Sequence, residues 1–110
     1  MQPSLGEFEQ IVCLAILRLG EEAYGATIHD EIAACTGRTP SPGALYTTLD
    51  RLEEKRFVVS RLGDPTPKRG GRAKRFFLLT KAGLAAIRRA QTSYRKLLTG
   101  LHILEGEYGS

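Results

Sequence analysis

The chain has 110 residues, 42% of them hydrophobic and 25% charged, which predicts one small globular domain with a modest core. No apolar run is long enough to span a membrane, and the amino terminus lacks the pattern of a signal peptide, so we expect a cytoplasmic protein. Residues 1–50 carry 2 Lys/Arg and 7 Asp/Glu, whereas residues 51–110 carry 14 and 5, and a basic half of this kind suggests a polyanionic partner.

The two cysteines, Cys13 and Cys35, are not in a metal or redox spacing, and they are too few for a disulfide scaffold. We interpret them as reduced, partly buried thiols, with a redox role left open. The isolated His29 has no cluster of ligands around it in the sequence. We therefore expect no metal and no cofactor.

The first helix is predicted within residues 1–20. Ser4 and Glu7 match a capping box at its start, and Gly20 suits its end. The helix is apolar nearly all round, which is typical of a helix buried on more than one side. It is covered either by a second subunit or by the carboxy-terminal helix of the same chain.

A second helix is predicted over residues 24–35, with Gly37 closing it. A short turn over residues 37–40 then leads into a third helix over residues 41–55. This order is typical of a helix-turn-helix.

The third helix is predicted to have two different faces. Leu45, Leu49 and Leu52 recur at steps of four and three, so they share its inner face. Its opening, Ser41 followed by a proline, is a good N-cap and first turn. The outer face begins with small and polar residues, which suits close approach to base edges in the DNA major groove. The alternative is an ordinary amphipathic helix whose leucines indicate only a core.

After the third helix the hydrophobic period changes from 3.6 to 2. Residues 57–62 and 74–79 read as two antiparallel strands joined by a long loop rich in proline and glycine. Residues 68–75 hold five cationic side chains and no acidic one. Glycines let the backbone approach a phosphate and the cations neutralise it; the alternative is a solvated loop.

The last helix is predicted from the cap Thr80 to about Leu104, followed by a frayed tail over residues 105–110. Its seam steps by alternating three and four: Leu84, Ile87, Gln91, Tyr94, Leu98 and Leu101. At about 37 Å, the helix exceeds what a domain of this size needs to cover itself. We interpret it as a dimerisation arm, the alternative being a cover for its own chain.

Three stretches together resemble one family. They read GALYTTLDRLE from Gly43 to Glu53, RGGRAKRFF from Arg69 to Phe77, and LTxxG from Leu79 to Gly83. They resemble the PadR-like transcriptional regulators, over nearly the whole chain, and the single carboxy-terminal helix looks like the small subclass. The resemblance implies a mainly α winged helix-turn-helix with a small antiparallel hairpin over residues 1–79, plus a dimerisation helix over residues 80–104.

The resemblance further implies a homodimeric repressor that binds a palindromic operator in double-stranded DNA and is released by a small ligand. It places DNA contacts on ten residues: Ser41, Gly43, Ala44, Tyr46, Thr47, Arg51, Lys68, Arg69, Arg72 and Lys74. For Tyr46, on the flank of the helix, we expect a phosphate contact or a packing role, and for Arg51 a phosphate contact.

The dimer interface is expected to combine the seam of the last helix with Phe8 and Val12 of the first helix. A cavity between the last helix and the first helix of the partner subunit, lined by Phe8, Val12, Tyr94 and Leu98, is expected to suit a small apolar or aromatic effector. The same four residues can equally be read as plain dimer core.

The chain departs from the family pattern at three points. Arg56 stands where the family usually has glycine after the third helix, which carries strain if that position is left-handed. Phe76 and Phe77 replace tyrosines that are frequent in the second strand. The chain has no tryptophan, which puts flat multidrug-like ligands in doubt.

Two other functional classes compete with a DNA-binding regulator. A winged helix can serve as a protein-binding module, because fold alone does not decide function. An enzyme is not expected, since the sequence shows no nucleophile-base arrangement, no metal-spaced cluster and no phosphate loop.

Overall fold

The computed structural model of the chain describes residues 4–63 and 73–101. In chain order its elements are helix α1 (Glu7–Leu19), a single 3₁₀ turn (Gly20–Glu22), helices α2 (Gly25–Thr36) and α3 (Pro42–Glu54), strands β1 (Val58–Leu62) and β2 (Arg75–Leu79), and helix α4 (Lys81–Leu98). The predicted fold class, mainly α with a small antiparallel hairpin, is confirmed. None of the helices in these ranges is long and apolar enough to cross a membrane.

One hydrophobic core joins α1, α2, α3 and the hairpin. The predicted inner face of α3 is confirmed, because Leu45, Leu49 and Leu52 are each at most 1% exposed. Ile28 and Ile32 of α2 are buried beside them. Removing this much apolar surface from water is the main force that holds the three helices together.

The start of α1 differs from the prediction. The N-cap is Gly6, whose amide donates to Glu9 Oε1 at 2.8 Å, rather than Ser4 paired with Glu7. The Glu9 carboxylate also accepts from Lys55 Nζ at 2.8 Å, which ties α1 to the end of α3. Glu9 therefore bonds back to the amide of the Gly6 N-cap, with its side chain also held by Lys55.

The Glu9 carboxyl is a source of pH-dependent stability. Burial acts to raise its pKa, but the hydrogen bonds from Lys55 and the Gly6 amide outweigh burial and hold the pKa below its ordinary value. A carboxyl with a lowered pKa in the folded state stabilises the fold at neutral pH. That contribution is lost as the pH falls through the lowered pKa.

The helix-turn-helix forms as predicted, with small shifts at its ends. Gly37 adopts φ 74° and ends α2 through a bond from its amide to the Ala33 carbonyl at 2.9 Å. Ser41 caps α3, with its hydroxyl accepting from the Ala44 amide at 3.1 Å, and Pro42 is the first helical residue.

The end of α3 contains a left-handed arginine. Arg56 has φ 63°, as expected if it replaces a glycine. Its amide donates to the Glu53 carbonyl at 2.9 Å, and the Phe57 amide donates to the Leu52 carbonyl at 2.9 Å. These two bonds form a Schellman motif, in which glycine is the favoured left-handed residue.

Replacing Arg56 with glycine should raise the free energy of unfolding by about 1 kcal/mol, because glycine adopts this conformation without steric cost. Arg56→Ala is the matched control, since alanine removes the same side chain but keeps the strain. Urea unfolding of both variants measures the effect. Equal stability of the glycine and alanine variants would contradict the strain at this position.

The hairpin is slightly shorter than predicted. Its five antiparallel pairs run from Val58 opposite Leu79 to Leu62 opposite Arg75. The Phe77 amide donates to the Ala23 carbonyl at 2.8 Å, so the chain before α2 lies alongside β2. Strands pair only where both partners are extended, and Phe57 is instead used in the turn that closes α3.

Helix α4 begins at its predicted cap, with the Gly83 amide donating to the Thr80 hydroxyl at 3.0 Å. It ends at Leu98, earlier than the predicted Leu104. Thr99 leaves the helical conformation and Gly100 has φ 81°, which is a typical helix end. Leu101 therefore lies beyond the helix, and residues 102–104 and the expected tail lie outside the described residues.

Candidate nucleic-acid interface

The front of α3, defined here as Ser41, Gly43, Ala44 and Thr47, is exposed. Apart from its chain neighbours and the backbone of its own helix, no described residue comes within 4 Å of a Cβ placed at Gly43. Arg51, one turn beyond Thr47, is exposed on the same side. The outer face of the helix thus has small side chains and hydroxyl groups at its amino-terminal end and the cation of Arg51 further along. Such a face suits entry into a major groove.

Tyr46 lies on the flank of α3 and packs against the start of α2. A Cβ added at Gly25 would overlap the Tyr46 hydroxyl, so Gly25 makes room for the ring. The side chain remains 43% exposed. Of the two roles considered for Tyr46, the structure provides the packing contact.

The loop end of the two strands, which includes Arg61, Lys74 and Arg75 and is called here the base of the hairpin, carries cations held over aromatic rings. Lys74 Nζ lies 4.2 Å from the centre of the Tyr24 ring, and the Arg61 guanidinium lies 5.0 Å from that of Phe76. Arg61 is exposed but was not among the predicted contacts. The other predicted hairpin contacts, Lys68, Arg69 and Arg72, lie outside the described residues.

A polar cluster that the sequence reading missed joins the hairpin to α3. Arg75 Nε donates to Ser60 Oγ at 3.0 Å, Ser60 Oγ donates to Glu53 Oε2 at 3.2 Å, and the Arg75 guanidinium also donates to Glu53 Oε1. Ser60 pairs with Phe77, so Arg75 is its diagonal neighbour on the same face of the hairpin. The strand register brings Ser60 and Arg75 together, and the packing of the hairpin against α3 adds Glu53.

The apolar face of α4 continues past the body of the chain. We call the α4 stripe the residues Ala86, Ile87, Ala90, Tyr94, Leu97 and Leu98. Ala86 and Ile87 are each 4% exposed, whereas Tyr94 is 49% and Leu97 is 74% exposed. A helix face that is buried at one end and exposed at the other is typical of an interface for another molecule.

Two of the predicted interface residues are not at the surface of the chain. Val12 is 0% exposed and Ile87 is 4% exposed, because both are part of the core of the single chain. Leu84 and Gln91 are partly covered within the same chain. Periodic spacing marks an apolar face but cannot tell which part of it the chain covers itself.

Within the single chain, Tyr94 and Phe8 of the proposed effector residues border different pockets. Tyr94 lines a groove of about 410 Å³ between the start of α1 and α4. Phe8 borders a different pocket, of about 400 Å³, beside the turn that precedes α3. Val12 is in the core, so this part of the prediction is wrong for Val12 as a lining residue.

Three helices and a two-stranded hairpin, with a small-faced third helix beside a cationic hairpin base, define a winged helix-turn-helix protein. A sequence model described as "Transcriptional regulator PadR-like family" matches residues 13–89. The chain belongs to this family, as its motifs predicted. It is a transcriptional regulator with a winged-helix DNA-binding fold, and we call its hairpin the wing.

Solved structures agree on the fold. A PadR family transcription regulator from Clostridium difficile R20291 has a TM-score of 0.70 and 22% identity, covering 90% of this chain and 99% of that one. A PadR-like transcriptional regulator from Bacillus cereus has a TM-score of 0.71 and 18% identity, covering 94% and 93%. The winged-helix DNA-binding protein F93 from STIV has a TM-score of 0.68 and 16% identity, covering 89% and 98%. No curated protein sequence matches the chain.

Proposed function

We propose that the protein is a sequence-specific, homodimeric repressor that binds a palindromic DNA operator and responds to a small ligand. The observation that carries the proposal is the exposed front of α3, on a helix that Arg75 joins to the cationic base of the wing through Glu53 and Asp50. A surface of this kind can combine base reading with phosphate binding on one duplex.

The DNA contacts fall into two groups. Thr47, Ser41 and the small residues between them are suited to base edges, while Arg51 and Lys74 are suited to phosphates. A helix that reads base edges in a major groove needs small side chains on its outer face, so that it can approach the bases closely. A protein-binding module does not require small side chains at this helix. The small side chains at the front of α3 therefore favour DNA over a protein as the binding partner.

Dimerisation is proposed through the α4 stripe. Its exposed end, Tyr94, Leu97 and Leu98, needs an apolar cover. A second copy supplies one, because Leu14 and Leu17 on the outer side of α1 are 37% and 43% exposed. A two-fold dimer would present two α3 helices to half-sites about 34 Å apart, one turn of DNA.

The ligand response is proposed to use the groove between the start of α1 and α4. Leu5, Ala90, Tyr94 and Leu97 give it an apolar lining, with Gln10 and Arg89 as polar groups. Its volume of about 410 Å³ falls within the range of small-molecule sites. A ligand there would act on the proposed dimer contact and so change the spacing of the two α3 helices.

Thr47→Ala should relax the preferred DNA sequence while leaving nonspecific affinity nearly unchanged, because the hydroxyl is proposed to contact a base edge rather than a phosphate. We expect discrimination at one position of each half-site to fall by about five- to tenfold. Selection of bound duplexes from a randomised pool measures the preference of the variant and of the parent.

The matched control for this prediction is Thr92→Ala, an equally small change on an exposed position of α4. It should select the same sequence as the parent. If Thr47→Ala also selects an unchanged sequence with unchanged stringency, Thr47 does not read bases.

A further inference from the structure

The base of the wing is fastened to α3 by the polar cluster of Arg75, Ser60 and Glu53. Arg75 and Leu62 form the last described pair of the hairpin, at the end of the strands that leads into the loop. Three hydrogen bonds join the three side chains, and the Arg75 guanidinium also lies 5.2 Å from the centre of the Phe77 ring. Each side chain is thus held by contacts to both of the others.

The cluster also pairs the positive charge of Arg75 with carboxylates on α3. Glu53 and Asp50 are carboxylates on the helix that faces DNA in the proposed function, and unpaired carboxylates there would repel phosphates. Arg75 donates to Glu53, and its Nη1 lies 4.0 Å from Asp50 Oδ1. The Arg75 guanidinium is therefore paired with carboxylates on α3, although its side chain remains 41% exposed.

We propose that Glu53, Ser60 and Arg75 form a positioning clamp that fixes the wing at the angle to α3 needed for both to contact one duplex. The inference rests on the proposed DNA-binding function. A two-stranded hairpin is marginal by itself, and this one packs on the core through Val58 and Phe77. The polar cluster adds a second attachment to α3, closer to the loop end of the strands. The clamp supplies that contact with charge-assisted hydrogen bonds, which are directional.

The clamp can be tested by a substitution for which positioning and charge predict opposite changes in DNA affinity. Glu53→Gln removes a negative charge from α3, which by charge alone should strengthen binding to DNA. If Glu53 positions the wing, the same change should weaken operator binding by roughly five- to tenfold, because the charge-assisted bonds to Arg75 and Ser60 are weakened. Glu54→Gln is the matched control: it makes the same charge change at the exposed neighbouring position.

Ser60→Ala provides a second variant without any change in charge. We expect it to weaken operator binding by roughly threefold and to leave the slope of log affinity against log salt unchanged, because no phosphate contact is lost. Thermal unfolding of each variant, followed by circular dichroism, identifies a temperature at which all of the variants are folded. Affinities are then compared at that temperature, so loss of fold does not enter the result.

The outcomes distinguish the clamp from the function on which it rests. Weaker binding by Glu53→Gln and Ser60→Ala, with Glu54→Gln unchanged or stronger, would support the clamp. If the parent binds its operator and Glu53→Gln binds as well as Glu54→Gln, the clamp is overturned while the DNA-binding function stands. A parent protein that selects no DNA sequence would overturn both.

Discussion

Leu97→Glu is expected to convert the proposed dimer into a monomer and to weaken binding to a two-half-site operator by at least about a hundredfold. Leu97 is 74% exposed in the single chain, so the change should leave the fold of the protomer intact. In the proposed dimer it would place a carboxylate in an apolar interface, at a cost of several kcal/mol when the charge is unpaired. The loss of one subunit removes one half of the DNA contacts.

Equilibrium sedimentation of the parent and the variant at micromolar concentration measures this effect, together with the operator affinity of each. Thr92→Glu adds the same carboxylate at an exposed polar position of α4 and should stay dimeric. A Leu97→Glu protein that sediments as a dimer would show that the α4 stripe does not form the interface.

Gly83→Ala is expected to lower the free energy of unfolding by about 2–3 kcal/mol, the cost of overpacking a site that cannot relax easily. A Cβ at Gly83 would overlap the carbonyl oxygen of Phe57. That carbonyl cannot move freely, because it accepts the Thr80 amide at 3.0 Å where the turn after α3 meets α4. The glycine of the LTxxG motif thus permits the close contact between α4 and the end of α3.

The control for this prediction is Gly43→Ala, a glycine-to-alanine change in open space on α3. It should raise stability by up to about 1 kcal/mol, because alanine is the better helix former. Urea unfolding measures both variants. If the two changes alter stability equally, the close approach at Gly83 does not constrain the fold.

Helix α3 was predictable because one periodic signal and one cap agree. The leucines at 45, 49 and 52 share a face. Ser41 followed by Pro42 marks the start of the helix, and no neighbouring residue pair matches an N-cap and first turn equally well. The start of α1 was not predictable in the same way. Ser4 with Glu7 fits the capping pattern, whereas the true cap, Gly6, has no side chain to signal its role. The Gly6–Glu9 cap is favoured because Lys55, which is distant in sequence, holds the Glu9 carboxylate in place.

The candidate site was predictable only where contacts are local. The exposure of the front of α3 follows from helix geometry, so the spacing alone predicted which residues face outward. Val12 and Ile87 were misplaced at the interface because an apolar stripe does not reveal which turns the chain itself buries. The cluster of Glu53, Ser60 and Arg75 depends on strand register and on how the wing packs against α3, and neither is contained in a local pattern.

The most direct test of the proposed regulator is selection of bound duplexes from a randomised DNA pool at about 0.15 M salt, near physiological ionic strength. The account predicts enrichment of a palindrome whose half-sites are about one helical turn apart, bound by two copies of the chain. Binding without enrichment of any sequence would contradict it, because the basic wing base would then hold DNA without the front of α3 reading it.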